Sequence, residues 1–129
     1  MPEFTFLTLA EIIAIHDNQI ESYGGSRGVR DMNLLQSAIA QPQASFGREW
    51  LHDDIFHMAA AYAYHISQNH PFIDGNKRAA LASTLVFLAM NNIEVRDPRQ
   101  RLLGAMLKMA NGDLAKNEFA QLLRDLEDK

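Results

Sequence analysis

The sequence predicts an all-α fold in which six helices form a single compact domain over residues 1–129. Apolar residues recur at helical spacing in six segments, and capping residues, glycines or prolines separate these segments. The two most apolar segments are joined by a short polar stretch, residues 70–78. A helix that is apolar on nearly every face belongs in the centre of a fold. We therefore expect this stretch to join the two central helices.

Each predicted helix starts near a residue suited to capping. The clearest start is Thr8, because Glu11 three residues later completes a capping box. Three glycines within residues 24–28 mark a loop. In chain order we expect a helix from Thr8 to Tyr23, a helix from Asp31 to Pro42, a loop or short hairpin over residues 43–51, a helix from Asp53 or Asp54 to His70, a helix from Asn76 to Asn91, a helix starting at Asp97-Pro98 and ending at Gly112, and a helix from Lys116 or Asn117 to Leu126.

The composition excludes several classes of protein. Apolar residues make up 47% of the chain and charged residues 22%, which is typical of a globular protein and not of a disordered one. The formal net charge of -4 argues against direct nucleic-acid binding, which needs a basic surface. The absence of cysteine excludes disulfides and thiolate metal sites. Because we find no signal-peptide pattern and no apolar run long enough for a membrane, we expect a cytoplasmic protein with no membrane partner.

Residues 70–78 contain the parts of an anion site. Asn76 is expected at the start of the fourth helix, where unpaired N–H groups and the helix dipole attract anions. Gly75 allows a turn with positive φ and leaves room for a ligand near the main chain. Lys77 and Arg78 follow in the first turn, where cations are unfavourable unless an anion binds there. Because broken local rules tend to mark functional sites, the pattern predicts a phosphate site.

Three other side chains of the stretch add to this prediction. Asp74 precedes the N–H donors and is placed to hold a divalent cation that bridges phosphate oxygens. His70 ends the third helix and, with an ordinary pKa of roughly 6.5, can accept a proton near neutral pH. Phe72 is expected to turn inward and fix the loop to the core. The residues alone leave open whether His70 is a catalytic base or a partner of the helix dipole, and they identify no reaction.

The stretch His70-Pro71-Phe72-Ile73-Asp74-Gly75-Asn76-Lys77-Arg78 resembles the signature of the Fic/Doc (Fido) superfamily, HxFx(D/E)GNGRxxR. It is most similar to the Doc (death-on-curing) branch, in which lysine replaces the second glycine. Residues 23–25, 28–42 and 87–92 and the alanine-rich third helix also look Doc-like, so the resemblance covers most of the chain. It implies a six-helix Fido-type domain with the active-site loop between its two central helices.

The resemblance implies a role for each matching residue. His70 matches the base that deprotonates a hydroxyl of a target protein, and Asp74 matches the acidic magnesium ligand. Gly75 and Asn76 match the anion-binding turn, and Arg78 matches the first arginine of the signature, a phosphate contact. ATP is then the expected substrate nucleotide, and Mg²⁺ the expected metal.

Two positions depart from the Fic signature. Lys77 stands where Fic proteins have glycine, which adds a cation inside the phosphate site, and Leu81 stands where their second arginine would fall. Doc toxins share both changes, and the resemblance implies that they are kinases that transfer the γ-phosphoryl of ATP to a threonine of elongation factor Tu. We therefore expect a toxin of a type II toxin–antitoxin system that arrests translation. An AMP-transferase and a non-catalytic co-repressor subunit are the alternatives.

The resemblance also implies a partner. Doc toxins are held in check by a Phd-like antitoxin, whose C-terminal segment folds on binding across the toxin. Many Fic proteins instead carry an inhibitory helix with the pattern (S/T)xxxE(G/N). The nearest match here, residues 45–50, ends in Trp50 and lies in a predicted loop, so inhibition in cis is not expected. Trp50 is expected either to pack beneath this loop or to anchor a partner.

A histidine metal site is a further alternative. His52, Asp53, Asp54, His57 and His65 are close in sequence, and Asp53 and His57 are four positions apart. However, His57 and His65 do not share a tight helical face, and no ligand motif such as HExxH is present. We therefore expect these histidines to be ordinary helix or surface residues. The methionines at positions 58, 90, 106 and 109 are expected to fill the core.

Overall fold

The structure, a computed structural model, describes residues 3–52 and 54–129. Within these residues the chain forms six α-helices, which confirms the all-α prediction. None of these helices is long and apolar enough to cross a membrane. The elements in chain order are α1 (Leu9–Tyr23), α2 (Met32–Ala40), a 3₁₀ turn (Gln41–Gln43), β1 (Ser45–Phe46), β2 (Glu49–Trp50), α3 (Ile55–Asn69), α4 (Asn76–Met90), α5 (Arg101–Ala110) and α6 (Lys116–Asp125). The two strands form an antiparallel hairpin within residues 43–51, where a loop or hairpin was predicted.

Local capping explains where the first three helices begin. Thr8 Oγ1 accepts a hydrogen bond from the N–H of Glu11 (3.1 Å), and Glu11 Oε1 accepts one from the N–H of Thr8 (2.8 Å). The predicted capping box is therefore confirmed. The carboxylates of Asp31 and Asp54 each accept an N–H of the following helical turn at 3.0 Å. Asp53, the alternative start predicted for α3, lies outside the described residues.

The predicted start of α5 at Asp97-Pro98 is wrong. The helix begins at Arg101, after Gln100 in the left-handed conformation with φ 53°. The Asp97 carboxylate accepts hydrogen bonds from the N–H groups of Arg101 (2.8 Å) and Leu102 (2.9 Å). Asp97 therefore caps α5 from four residues upstream, and Pro98 lies in the turn before the helix. An aspartate-proline pair fits both arrangements, so the sequence pattern could not separate them.

The pair α3 and α4 forms the centre of the fold. The helix α3 contacts α2, α4, α5 and α6, and α4 also packs against α1 and α5. Alanines on α3 allow a close approach, because Thr84 Oγ1 of α4 lies 3.3 Å from the carbonyl oxygen of Ala59. The large side chains that are fully buried include Met58, Tyr62, Ile66, Phe87, Leu88, Met106, Met109 and Phe119, so three of the four methionines expected in the core are fully buried. This packed pair holds both ends of the loop over residues 70–75.

The hairpin and the N-terminal segment close the opposite end of the central helix pair. The Trp50 ring packs against the rings of Phe6 (5.3 Å between centroids) and Phe4 (6.3 Å). Phe6 in turn stacks on Phe87, close to the end of α4 (5.6 Å between centroids). Trp50 thus has the packing role that was one of its two predicted roles. Residues 45–50 lie at the end of α4 that is distant from its first turn.

The clustered histidines have local partners. His57 Nδ1 lies 2.9 Å from Asp54 Oδ1, and Arg124 pairs with the other oxygen of the same carboxylate. His52 Nε2 is hydrogen-bonded to the carbonyl oxygen of Gln41 (3.0 Å). Over residues 3–52 and 54–129, no group of three or more histidine, cysteine, aspartate or glutamate side chains is arranged to hold a metal ion. His52 and His57 therefore take part in local contacts of the hairpin and of the first turn of α3.

Acidification should destabilise the fold through His65. Its Nε2 lies 3.4 Å from Lys116 Nζ, and burial first and the Lys116 charge second lower the pKa of His65 to about 4. With an ordinary pKa of 6.5, the unfolded chain binds more protons than the folded chain between these two values. The free energy of unfolding is therefore expected to fall by on the order of 1 kcal/mol as the pH drops through this window, a modest value because solvent screens part of the side chain. Urea unfolding at about pH 7 and about pH 4.5 measures it.

His65→Gln is the matched control, because glutamine can still accept a hydrogen bond from Lys116 and does not titrate. The pH dependence of this variant should be smaller than that of the unmodified protein. An identical loss of stability in both proteins would contradict the assignment to His65.

Candidate active site

The loop between α3 and α4 reverses the chain with two residues in the left-handed region. His70, which follows α3, has φ 48° and ψ 53°, and Gly75, which precedes α4, has φ 72° and ψ 23°. Glycine adopts this region freely, but histidine does so only when contacts hold it there. Arg30 supplies such contacts, because its Nε donates to the carbonyl of His70 (2.7 Å) and its Nη2 to that of Asn69 (3.0 Å). These carbonyls lie at a helix end, where carbonyl groups lack intrahelical partners.

Phe72 fixes the middle of the loop, as predicted, with a side chain that is 1% exposed. Asn76 Oδ1 accepts a hydrogen bond from the N–H of Phe72 (2.9 Å), and Asn76 Nδ2 donates to the carbonyl of Phe72 (3.0 Å). The side-chain amide of Asn76 therefore pairs with both main-chain groups of Phe72 and joins the middle of the loop to the start of α4. What Asn76 offers to an anion in this geometry is its backbone N–H, a distinction that the sequence pattern did not make.

Residues 24–31 form one wall of the site. Val29 and Phe72 form an antiparallel bridge, and backbone hydrogen bonds of 2.7 to 3.1 Å join residues 28–31 to residues 71–73. The glycines predicted only that this segment is a loop. The pairing of this segment with residues 71–73 is a long-range contact, and no local sequence signal predicts it.

Asp74 is held by donors from three parts of the chain. The N–H of Ser26 donates to Asp74 Oδ2 (3.1 Å), and the N–H of Gly75 donates to Asp74 Oδ1 (2.8 Å). His16 Nε2 donates to the main-chain carbonyl of Asp74 (2.6 Å). The Asp74 side chain is nevertheless exposed, and each carboxylate oxygen has a second lone pair beyond its N–H contact. The carboxylate is thus fixed in direction and still able to bind a cation.

This arrangement fits a magnesium ion held mainly by phosphate oxygens. Mg²⁺ in nucleotide sites is bound by one or two carboxylates, while water and substrate phosphates complete its octahedral shell. In the part of the chain that the structure describes, no cluster of acidic and histidine side chains could form an all-protein cage. A single exposed carboxylate beside an anion site is sufficient for the phosphate-held arrangement.

The first turn of α4 carries the two predicted cations. The first main-chain hydrogen bond of this helix joins the N–H of Ala79 to the carbonyl of Gly75 (2.9 Å), and no described side chain caps the helix. The N–H groups of residues 76–78 can therefore donate hydrogen bonds to an anionic ligand. Lys77 is exposed, whereas Arg78 donates through Nη2 to the carbonyl of Gly24 (3.0 Å) and lies over an aromatic ring of α1. Positive charge and free donors thus converge at one end of α4.

An apolar groove of about 610 Å³ lies beside Arg78, between α1, α4 and α5. Its walls include Tyr23 of α1, Leu81 and Leu85 of α4, and Leu103 of α5. The sequence predicted that α4, which is apolar on almost every face beyond its first turn, lies in the centre of the fold. The structure buries the face that packs against α3 and leaves Leu81 and Leu85 lining this open groove. Apolar side chains left open beside a polar site are typical of a binding surface.

His16 is the residue of the site that sequence reasoning missed. It lies on the buried face of α1 between Ile12 and Ile20, and it is 1% exposed. A signal was present, because His16 is four positions from an apolar core residue on each side. A histidine in such a position must find a hydrogen-bond partner in the core, and only the folded structure shows that this partner is the loop between α3 and α4.

Comparison with known proteins identifies relatives of this chain. The family model described as Fic/DOC family matches residues 6–88, which include the whole loop. The protein named "Protein kinase doc" from Escherichia phage P1 is 35% identical over 116 residues, which span 90% of each chain. The protein named "Toxin Doc" from Mycolicibacterium smegmatis is 36% identical over 74 residues, or 57% of each chain.

Proposed function

The chain belongs to the Doc branch of the Fic/Doc family, and on that premise we propose that it is a toxin that transfers the γ-phosphoryl group of ATP to a hydroxyl of a translation factor similar to elongation factor Tu. The observation that carries the proposal is the junction of α3 and α4. His70, the Asp74 carboxylate and the open N–H groups of residues 76–78 all belong to this one turn of the chain. A base, a cation ligand and a phosphate site are the parts that phosphoryl transfer needs.

Each polar residue of the loop has a separate role in the proposed reaction. The N–H groups of residues 76–78, with Lys77 and Arg78, bind the phosphates of ATP. Asp74 would hold Mg²⁺, which when bound would supply positive charge to the phosphate oxygens. His70 accepts the proton of the target hydroxyl while the oxygen of that hydroxyl bonds to the γ-phosphorus. The bond between that phosphorus and the β–γ bridging oxygen breaks, and ADP leaves.

Lys77 and Leu81 support transfer of the γ-phosphoryl group rather than of AMP. Lys77 is exposed at the second position of α4, so its ammonium group adds positive charge at the phosphate site. Leu81, one turn further along, lines the apolar groove and offers no charge to a second phosphate. The cationic part of the site is therefore confined to the first turn of α4, which suits a terminal phosphate presented to His70.

Mass spectrometry of the modified target tests the reaction. The protein is incubated with Mg²⁺, ATP and elongation factor Tu, and the target is then weighed intact and as peptides. We expect a phosphoryl increment on a threonine or serine, with label incorporated from γ-labelled and not from α-labelled ATP. An adenylyl increment would replace the kinase proposal with AMP transfer. No change in any candidate translation factor would contradict both activities.

The apolar groove supports a second part of the proposal, a Phd-like antitoxin in a type II toxin–antitoxin system. The groove lies between helices, and Arg78 of the loop borders it. An amphipathic helix binds such a groove through apolar residues at helical spacing. The C-terminal segment of the antitoxin is expected to fold there and to cover the phosphate site. Because the proposed target is a translation factor, the toxin would act in the cytoplasm.

Leu85→Glu should weaken antitoxin binding by about 100-fold, or about 3 kcal/mol, because it places a charge in the apolar groove. Transfer by the free toxin should change little, because Leu85 is outside the loop. Val86→Glu is the matched control, since Val86 is the next residue, is 37% exposed and does not line the groove. Calorimetric titration with the antitoxin measures both variants. Equal affinities for the two would place the antitoxin elsewhere.

A further inference from the structure

His16 has an environment that distinguishes it from the other described histidines. It is the one that is fully buried, at 1% exposure, and its ring lies flat against Phe72, with 3.8 Å between ring centroids and an angle of 3° between the ring planes. Phe72 is the residue that fixes the middle of the loop. His16 therefore contacts the loop both through its ring face and, at Nε2, through a hydrogen bond to Asp74.

The direction of this hydrogen bond is determined by its partner. The carbonyl oxygen of Asp74 can only accept, so Nε2 of His16, at 2.6 Å, carries the proton. The other ring nitrogen, Nδ1, lies 3.8 Å from Asp17 Oδ1, which is too long for a hydrogen bond. The polar contact that determines the orientation of the His16 ring is thus the one with Asp74.

The hydrogen bond acts on a peptide group that also holds the Asp74 carboxylate. The carbonyl of Asp74 and the N–H of Gly75 belong to the same planar trans peptide, so they point in opposite directions. His16 holds the carbonyl on the side of α1. The N–H of Gly75 is then directed to Asp74 Oδ1, at 2.8 Å. Rotation of this peptide would remove both contacts together, and the carboxylate would keep only its bond from Ser26.

We propose that His16 is a positioning residue that orients the peptide between Asp74 and Gly75 and thereby aims the Asp74 carboxylate and the first N–H groups of α4. Its effect on rate depends on the phosphoryl transfer proposed above, but its effect on the loop does not. Residues that orient a metal-binding carboxylate typically change metal affinity or activity by 10- to 100-fold when they are replaced. We expect an effect of about this size.

Two substitutions separate the hydrogen bond from the packing. His16→Phe keeps a flat ring against Phe72 and removes the donor. His16→Gln keeps an N–H donor and removes the ring. Ile12→Val is the matched control, because Ile12 is fully buried one turn away on the same face of α1 and belongs to no part of the site. Comparison with this variant accounts for any general loss of packing.

The first measurement is hydrogen exchange of the Ser26 and Gly75 amides, followed by NMR. In His16→Phe we expect about tenfold faster exchange of the Gly75 amide than in Ile12→Val, and a smaller increase at Ser26, whose remaining bond is to a less restrained carboxylate. In His16→Gln both amides should stay close to the unmodified protein. The second measurement is the rate of transfer against Mg²⁺ concentration. In His16→Phe, half-maximal transfer should need about tenfold more Mg²⁺, and His16→Gln should restore most of the difference.

The outcomes distinguish this proposal from the proposed function. Unchanged amide exchange in His16→Phe would overturn the positioning role, whatever the activity. Equal losses in His16→Phe and His16→Gln would also overturn it, because they would assign the effect to packing. If the amides respond as expected but the unmodified protein modifies no target, the phosphoryl-transfer proposal fails while the orientation of the loop by His16 stands.

Discussion

Replacing His70 with asparagine should lower the rate of phosphoryl transfer by about 10²- to 10⁴-fold while the fold is retained. The amide cannot accept the proton of the target hydroxyl, so the general-base contribution is lost. Asparagine suits the position structurally, because it adopts the left-handed region at φ 48° and ψ 53° more readily than alanine does. The exposed side chain of His70 also fills no space in the core. The rate is measured by the mass assay with ATP and Mg²⁺.

The same variant decides between an enzyme and a non-catalytic subunit. If the protein acts by binding alone, His70→Asn should arrest growth on expression as strongly as the unmodified chain does. His57→Ala is the matched control, because it removes a histidine from the first turns of α3, about 20 Å from His70 along the helix. Growth arrest should persist in His57→Ala and disappear in His70→Asn. Arrest in both variants would contradict a catalytic role for His70.

The fold could be predicted largely from local signals. Thr8, Asp31 and Asp54 cap their helices by hydrogen bonds to residues three positions away, and such short-range contacts leave a clear pattern in the sequence. The predicted start of α5 was wrong. Asp97 caps this helix from the preceding turn, and Gln100, with a positive φ, forms the end of that turn. A non-glycine residue adopts this conformation when its surroundings stabilise it, so the residue type at position 100 does not predict the positive φ.

The candidate site, like the fold, has one part that the sequence predicts and another that it does not. The stretch over residues 70–78 shows its chemistry in sequence, because its base, its acid, its glycine and its cations are adjacent. The contacts that orient this stretch come from residues 40 to 58 positions away, namely Arg30, Ser26 and His16. A single sequence does not reveal contacts of this range, since each of these residues also has an ordinary role in its own segment. His16 shows the limit most clearly, because its helical position indicates burial but not its partner.

Gly25→Ala should damage the site far more than Gly24→Ala, although the two glycines are neighbours with positive φ. At Gly25, with φ +119°, an added Cβ would lie 2.6 Å from Asp74 Oδ2 and 3.0 Å from Ile20 Cδ1. At Gly24, with φ +86°, it would meet no atom within 4 Å. Both variants carry a backbone penalty of about 1–2 kcal/mol. Only Gly25→Ala also forces the Asp74 carboxylate away from the Ser26 N–H that fixes it.

We therefore expect Gly25→Ala to lower the transfer rate by about 100-fold and to raise the Mg²⁺ requirement, while Gly24→Ala stays within about threefold of the unmodified protein. The stability of both variants, from urea unfolding, separates the shared backbone penalty from the clash. If both variants lost activity in proportion to their loss of stability, residues 24–31 would contribute to the stability of the fold and not to the orientation of Asp74. A selective loss in Gly25→Ala would instead show that the wall holds Asp74 in the direction that the reaction requires, as His16 does from the opposite side of the same residue.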